Sequence, residues 1–230
     1  GRYDFFMSIS KNDDMYCFSA KKHSVAKGCY YSISLDQDDQ KRSKAGAAES
    51  FIGKVRSDRK SLEYTLYDDG INPDEKKGKE KGPLRRELLY VNFLNSLRNR
   101  NPGSMHVTAP STNSLGNAPA VRPASDKDSL GERSRRGDLA GAAPLTVLKN
   151  REPKWNPVSN MYQLDFHGRA TMASCKNIQL HVKDADPNAV SFLMGKVEEN
   201  KFNVDFKGPF SCVQAFAFAL IVFDNSSGAF

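Results

Sequence analysis

The sequence predicts a mainly β domain, a closed antiparallel barrel of about twelve strands threaded by a hydrophobic C-terminal helix. Short runs rich in β-branched and aromatic residues recur between turn signals along the chain, as strands do. One segment, residues 213–223, is apolar at every position except Gln214. Such a segment must be enclosed by protein or lipid, and it is far shorter than the roughly 20 residues that span a bilayer. A sheet closed around it would also have no exposed strand edges.

The predicted strands are separated by connections rich in Asp, Asn, Gly and Pro, which suit tight turns between antiparallel neighbours. The segments with the strand pattern are Phe5–Ser10, Met15–Ser19, Tyr30–Leu35, Phe51–Arg56, Leu62–Tyr67, Met105–Thr108, Leu145–Leu148, Met161–Phe166, Ala170–Cys175, Ile178–Val182, Val190–Val197 and Lys201–Phe206. Their number is large enough for a barrel.

The C-terminal apolar segment fits a helix better than a strand. Its alternation of Ala and Phe also fits a period of two. However, Pro209 prevents an earlier start, and Ser211 with Gln214 has the spacing of a capping box. We therefore expect one fully buried helix that ends at Asp224-Asn225.

A second helix is predicted on the surface. Pro83 stands at a first-turn position, and Leu84, Leu88, Val91 and Leu94 follow at helical spacings. This pattern predicts a surface helix from Pro83 to about Leu97, with one apolar face.

The 230 residues fit a single domain, residues 1–230, with a flexible insertion at about 99–143. The insertion is rich in Pro, Ser, Asn, Gly and charge, and we expect strands near Met105 and Val121 to interrupt it. The start Gly1-Arg2-Tyr3 is not a natural one, so we expect upstream sequence. Neither a signal peptide nor a transmembrane span is recognisable.

Cysteine, histidine and motif content argue against metal and enzyme chemistry. The four cysteines are scattered and form no C-x-x-C pair, so reduced thiols of an intracellular protein are expected. The four histidines lack metal-ligand spacing. Hydrolase, nucleotide-binding and dinucleotide-binding motifs are not recognisable. We expect a protein that is not an enzyme and needs no cofactor.

The net charge of +7 favours an anionic partner, and the alternatives are nucleic acid, a membrane surface, or no partner, if the lysines are only scattered over the surface. The sharpest local feature is Lys54-Val55-Arg56 in a predicted strand. Residues two apart on a strand face the same way, about 7 Å apart, so Lys54 and Arg56 suit two neighbouring phosphates. A Lys-x-Arg pair on an exposed strand is, however, more often simply solvated and binds no ligand.

Several segments together resemble the Tubby C-terminal domain family, in the family's order along the chain. They are Phe51–Ser57, Tyr67–Pro73, Leu84–Leu88, Leu164–Gln179 and Val213–Leu220. The fourth of these is similar to the family's most specific signature. The family fold is a closed barrel threaded by the C-terminal helix, and we expect this chain to begin after the family's first strand.

The resemblance implies binding of phosphatidylinositol 4,5-bisphosphate at the inner plasma membrane, in a membrane-tethered adaptor for trafficking or signalling. Carried over by motif, Lys54 and Arg56 would bind headgroup phosphates and Arg85, at the start of the predicted helix, would bind another. A phosphate at a helix start would also meet free backbone N–H groups. Auxiliary basic contacts would come from Lys21, Lys22 and Lys27. Tyr30 stands where the family has an asparagine that contacts the headgroup.

Two other functions remain open. Tubby-like proteins have been proposed as transcription regulators, and the net charge fits nucleic acid, although no groove-reading helix or RNA-binding motif is recognisable. A protein-interaction scaffold without lipid specificity is the third possibility, with partners bound through an N-terminal segment outside this chain. We expect a monomer at the plasma membrane or in the cytoplasm, nucleus or cilium.

Overall fold

The computed structural model describes residues 1–10, 13–26, 28–38, 50–75, 82–95 and 103–226. Within these ranges the chain forms thirteen β-strands and two α-helices. The strands are β1 (Arg2–Ser10), β2 (Asp13–Val25), β3 (Gly28–Ser34), β4 (Phe51–Ser57), β5 (Glu63–Asp68), β6 (Glu87–Asn95), β7 (Ser104–Pro110), β8 (Leu145–Asn150), β9 (Lys154–Asn156), β10 (Met161–Gln163), β11 (Ile178–Val182), β12 (Val190–Glu198) and β13 (Lys201–Phe206). The helices are α1 (Leu130–Arg136) and α2 (Cys212–Asn225).

Eleven strands form one sheet, in the order β1-β2-β3-β4-β5-β6-β7-β8-β11-β12-β13, and β9 and β10 form a separate hairpin. Strands adjacent in sequence are mostly adjacent in the sheet, and they pair antiparallel, as β3 does with β4. The prediction of a mainly β, antiparallel fold is confirmed. The order is linear, and the part of the chain that is described shows no closed barrel. Alternation along a strand predicts which face is buried, but it carries no information on whether the end strands pair.

The chain divides into two compact units, and the first comprises Gly1–Tyr90 and Ala120–Asp138. It contains β1 to β5, the start of β6, and α1. Inward-facing side chains of the strands form its core together with one residue of α1. The large and fully buried members are Tyr31, Ile33, Tyr64, Leu66, Leu89 and Leu130. A single domain over residues 1–230 stays a prediction.

The second unit comprises Val91–Pro119 and Leu139–Phe230 and contains α2. Its core combines strand residues with the apolar helix. The large and fully buried strand members are Met105, Leu148, Leu180, Phe192 and Met194.

Helix α2 begins with the predicted capping box. The Ser211 hydroxyl accepts a hydrogen bond from the Gln214 backbone N–H, and the Gln214 side chain accepts one from the Ser211 N–H at 2.8 Å. Every side chain from Ala215 to Val222 is 5% exposed or less. The ring of Phe218 lies edge-on to Phe192 at 4.8 Å between centroids. The predicted burial of the helix is thus confirmed for residues 215–222, whereas Cys212, Val213 and Phe223 are half-buried. Passage of the helix through a barrel is not confirmed.

Neither helix among the described residues has the length and apolar character needed to cross a membrane.

The predicted surface helix from Pro83 to Leu97 is wrong, because residues 87–95 form strand β6. Leu94, on the predicted apolar stripe, is 52% exposed. The most deeply buried side chains are instead Leu89, Val91 and Phe93, which alternate along the strand at 2% exposure or less. Burial at a period of two, with β-branched and aromatic residues, outweighs the helical spacing of the leucines.

The predicted strand Ala170–Cys175 is not formed either. The N–H groups of Thr171 and Met172 both donate to the carbonyl oxygen of Lys196, at 2.9 and 3.1 Å. A Cβ at Gly195 would lie 2.7 Å from the Arg169 carbonyl oxygen and from the Ala170 Cβ. The segment therefore crosses β12 closely at Gly195, and it does not extend the sheet because β12 already pairs with β11 and β13.

Helix α1 lies inside the predicted insertion at 99–143 and was not expected from the sequence. Ser129 caps it by accepting a hydrogen bond from the Glu132 N–H, and Gly137 ends it with a φ of 69°. Strand β7 confirms the strand predicted near Met105. Val121 is buried but lies outside any strand.

We expect Phe218→Ala to lower the free energy of unfolding by about 3–5 kcal/mol, because it removes a fully buried ring from α2. The free energy of unfolding of a whole domain is typically only about 5–15 kcal/mol. At the upper end of the expected loss, the variant should therefore be insoluble or molten. Urea unfolding measures the change. Val158→Ala, at a side chain 94% exposed, is the matched control. Equal unfolding free energies for the two variants would contradict the burial of α2.

Candidate functional site

Four neighbouring strands of the first unit, β2 to β5, carry a basic outer surface. Their registers align Lys21 with Ser32, Ser32 with Lys54, and Lys54 with Tyr67 in one row across the strands. The next row aligns four more side chains: His23, Tyr30, Arg56 and Thr65. Register partners in a sheet point to the same side. These eight residues together are called the basic face below.

The opposite side of the same strands is apolar and packs into the core, so the basic face points away from the core. Val55, between Lys54 and Arg56, is fully buried, and so is its register partner Leu66. Lys54 is half-buried and Arg56 is exposed. The predicted pair of same-side cations in one strand is therefore present.

Each of two cations on this side rests on a tyrosine ring. The Lys54 Nζ lies 4.3 Å from the centroid of Tyr30, and the Arg85 Cζ lies 3.9 Å from that of Tyr67. Because Tyr67 is also the register partner of Lys54, it brings Arg85 to the basic face. Cation–π contacts hold a positive charge in place without neutralising it. The structure thus places the three predicted phosphate-binding residues on one side of the sheet.

A tight turn after β5 positions Arg85. A Cβ at Gly70 would lie 2.5 Å from the Arg85 Cα, so this approach requires glycine. The Asp68 carboxylate accepts hydrogen bonds from the Gly70 N–H at 3.1 Å and from the Arg86 N–H at 2.7 Å. It also accepts from the Arg86 Nε at 2.7 Å. Arg86 is therefore held by Asp68, and the neighbouring Arg85 points to Tyr67.

The expectation of a helix start at Arg85, with free backbone N–H groups for a phosphate, is wrong. The Arg85 N–H donates to the Ile71 carbonyl oxygen at 2.9 Å. The next two N–H groups are also engaged, that of Arg86 by Asp68 and that of Glu87 by the Val121 carbonyl oxygen at 2.9 Å. An anion here would meet side chains and not a helix terminus.

A buried carboxylate lies close to Arg85. The Glu87 Oε2 accepts a hydrogen bond from the Leu130 N–H, the first residue of α1, at 2.7 Å. Burial raises the pKa of Glu87, although the Leu130 hydrogen bond and Arg85 act in the opposite direction. Burial and the charge of Glu87 also raise the pKa of Tyr67. Glu87 thus connects the segment that carries Arg85 to α1.

His23 lies against Tyr30, with parallel rings 4.5 Å apart between centroids. Its Nε2 is 2.9 Å from the Ser32 Oγ. Burial lowers the pKa of His23, and Lys21 and Lys54 lower it further. The imidazole is therefore mainly neutral at neutral pH in the free protein.

The three auxiliary lysines have different positions. Lys21 belongs to the basic face and is exposed. Lys22 points to the other side of β2, where its Nζ lies 5.8 Å from the ring centroid of the buried Tyr31. Lys27 lies outside the described residues. The structure thus brings only Lys21 together with Lys54 and Arg56.

Sequence reasoning missed the groups that support the cations. Tyr30 was noted only as a departure from the family, although it carries Lys54. Its spacing within the strand gave a signal, since Tyr30 and Ser32 alternate as Lys54 and Arg56 do. The contact of Tyr67 with Arg85 depends on a turn of the chain and has no signal in local spacing.

Comparison with known proteins agrees with this architecture. Residues 1–225 match the profile that describes the Tub family. Mouse Tubby-related protein 1 and human Tubby-related protein 2 are each 35% identical to the chain over 96% of its length. Tubby protein homolog 1 of Caenorhabditis elegans is 34% identical over 93% of it. The chain belongs to the Tub family, and it spans 39%, 42% and 49% of these three relatives.

We expect Glu87→Gln to change how stability depends on pH. Because burial raises the pKa of Glu87, the folded protein holds this proton to higher pH than the unfolded chain does. The parent should therefore lose stability relative to the variant as pH rises above 4.5, the ordinary pKa of a glutamate side chain. Glutamine retains an oxygen that can accept from the Leu130 N–H.

Urea unfolding at a series of pH values measures this difference. Glu198→Gln removes the same charge from an exposed position and is the control. Parallel stability curves for the parent and Glu87→Gln would show that Glu87 is not held in a desolvated site.

Proposed function

We propose that the chain is a phosphoinositide-binding module that recognises phosphatidylinositol 4,5-bisphosphate at the inner plasma membrane. Lys54, Arg56 and Arg85 contact the headgroup phosphates. The observation that carries the proposal is the alignment of these three cations on one side of β4 and β5, two of them resting on tyrosine rings. This is a binding function, and no chemical step is assigned to the domain.

The ion pairing of the arginines supports the proposal. Many arginines of the described chain pair with a carboxylate: Arg2 with Asp4, Arg86 with Asp68, Arg133 with Asp138, Arg135 with Glu63, and Arg169 with Asp205. Within the described ranges, Arg56 and Arg85 form no such ion pair. Their forked donors remain suited to phosphate oxygens, which accept bidentate hydrogen bonds.

Membership of the Tub family supports binding of the same lipid, because Phe51–Ser57 resembles the family's phosphoinositide-binding strand. We propose further that the domain acts as a membrane-tethered adaptor, with partners bound by parts of the protein outside this chain.

Nucleic acid is the competing ligand, because a net charge of +7 attracts any polyanion. Binding to DNA by counterion release falls steeply with salt and does not depend on headgroup identity. Recognition of a defined headgroup instead prefers adjacent phosphates to the same total charge supplied by phosphatidylserine. Competition with soluble inositol 1,4,5-trisphosphate separates the two. DNA binding that survives this competition would favour the transcription-regulator function.

We expect the double substitution Lys54→Ala and Arg56→Ala to weaken binding to vesicles containing phosphatidylinositol 4,5-bisphosphate. Each basic residue near an anionic surface contributes about 1 kcal/mol, so the loss should be roughly thirtyfold in affinity. Vesicle sedimentation measures it, with phosphatidylserine vesicles of equal total charge for comparison. The thermal melting of the variant should be unchanged, because both side chains lie on the solvent side of β4.

The matched control is the double substitution Lys201→Ala and Lys207→Ala. It removes the same charge from exposed positions in and just after β13. A similar loss in both double variants would indicate attraction by net charge alone. Unchanged binding by the Lys54 and Arg56 variant would show that the site is wrong.

A further inference from the structure

His23 lies at the basic face but has no part in the proposed contacts. It is the register partner of Tyr30, which is in turn the register partner of Arg56. Its ring is stacked on Tyr30, on which the Lys54 ammonium also rests. A phosphate held by Lys54 and Arg56 would therefore lie beside the imidazole.

The charged groups facing His23 are mainly positive. Lys21 lies two residues away on its own strand, and Lys54 and Arg56 face it from β4. From β1, Arg2 lies opposite Lys21 and pairs with Asp4 at 3.0 Å. The Asp4 carboxylate also accepts a hydrogen bond from the Ser19 hydroxyl at 2.5 Å. From β3, Tyr30 and Ser32 are the polar neighbours.

We propose that His23 is a further binding residue of this site, which takes up a proton when a phosphorylated headgroup binds and strengthens binding as pH falls. This inference rests on the proposed function. It names a fourth side chain for the ligand and a pH dependence for its affinity.

The coupling follows from the electrostatics of the free and bound states. In the free protein, burial and the positive charges of Lys21 and Lys54 lower the pKa of His23. A phosphate group with up to two negative charges would offset those cations and stabilise the imidazolium. The proton comes from solvent, and both ring nitrogens are then donors. The Ser32 hydroxyl can accept from Nε2–H or donate to Nε2, so this contact persists in either state.

The sign of the pH dependence is determined by this shift. The bound state has the higher pKa for His23, so binding takes up a proton and affinity rises as pH falls between about 8 and 5. Protonation of the ligand opposes this trend, because a phosphate monoester has a second pKa near 6. A comparison of two proteins with the same ligand cancels that term.

The experiment measures binding of inositol 1,4,5-trisphosphate by calorimetry from about pH 8 to about pH 5. The parent is compared with His23→Gln, which retains a polar side chain but cannot become cationic. His106→Gln is the matched control. His106 is also half-buried, and burial, Lys183 and Lys149 lower its pKa, but it lies on β7, outside the strands of the basic face.

We expect the ratio of the Kd of His23→Gln to that of the parent to rise towards low pH. The rise should be on the order of fivefold, the contribution of one added positive charge near phosphate. The ratio for His106→Gln should stay constant. Equal pH profiles for the parent and His23→Gln would overturn the inference while leaving the proposed function intact.

A second measurement does not depend on the folding of a variant. The imidazole Cε1–H signal of His23 is titrated by NMR in the parent, free and saturated with inositol 1,4,5-trisphosphate. The His23 signal should titrate at higher pH in the complex, and that of His106 should not change. Identical His23 titrations in the two states would overturn the inference. If the parent bound no inositol phosphate, or if Lys54→Ala with Arg56→Ala did not weaken binding, the proposed function would fail as well.

Discussion

The register of β4 between β3 and β5 is the constraint on which the site depends. Side chains alternate with a period of two, so a slip of one residue would move Lys54 and Arg56 to the apolar side. Burial specifies the register, because Ile33, Val55 and Leu66 are all fully buried on that side. Gly53 adds to it, since a Cβ there would lie 2.7 Å from the Tyr67 carbonyl oxygen. The hydrophobic core thus determines where Lys54 and Arg56 point, and the ring of Tyr30 supports the Lys54 ammonium.

The third cation reaches the site by a different route. Arg85 comes from a segment that Asp68 and Gly70 hold against the end of β5, and Glu87 connects the same segment to α1. Its position therefore depends on contacts among residues far apart in sequence. Lys54 and Arg56 tolerate changes in these contacts, because their own strand places them. Loss of Asp68 or Gly70 would affect Arg85 first and the stability of the unit with it.

The sequence predicted what local patterns encode. The Lys-x-Arg pair in β4 and the capped helix α2 follow from alternation and from the Ser211 and Gln214 spacing, and both are present. The helix prediction for residues 87–95 was wrong because leucines at helical spacing lie in a strand whose burial is determined by its partners elsewhere in the sheet. Helix α1 was not predicted, because the Pro-, Ser- and Gly-rich composition around it outweighed the signals of its Ser129 cap and its Gly137 end. The stacking of Arg85 on Tyr67 requires the folded turn, and no local pattern contains it.

The most direct test of this account is a crystal structure of the chain with inositol 1,4,5-trisphosphate. The account predicts phosphate oxygens within about 3 Å of the Lys54 Nζ and of the Arg56 and Arg85 guanidinium nitrogens, with Tyr30 and Tyr67 still beneath their cations. A headgroup bound away from β4, or Lys54 and Arg56 on opposite sides of the sheet, would contradict it.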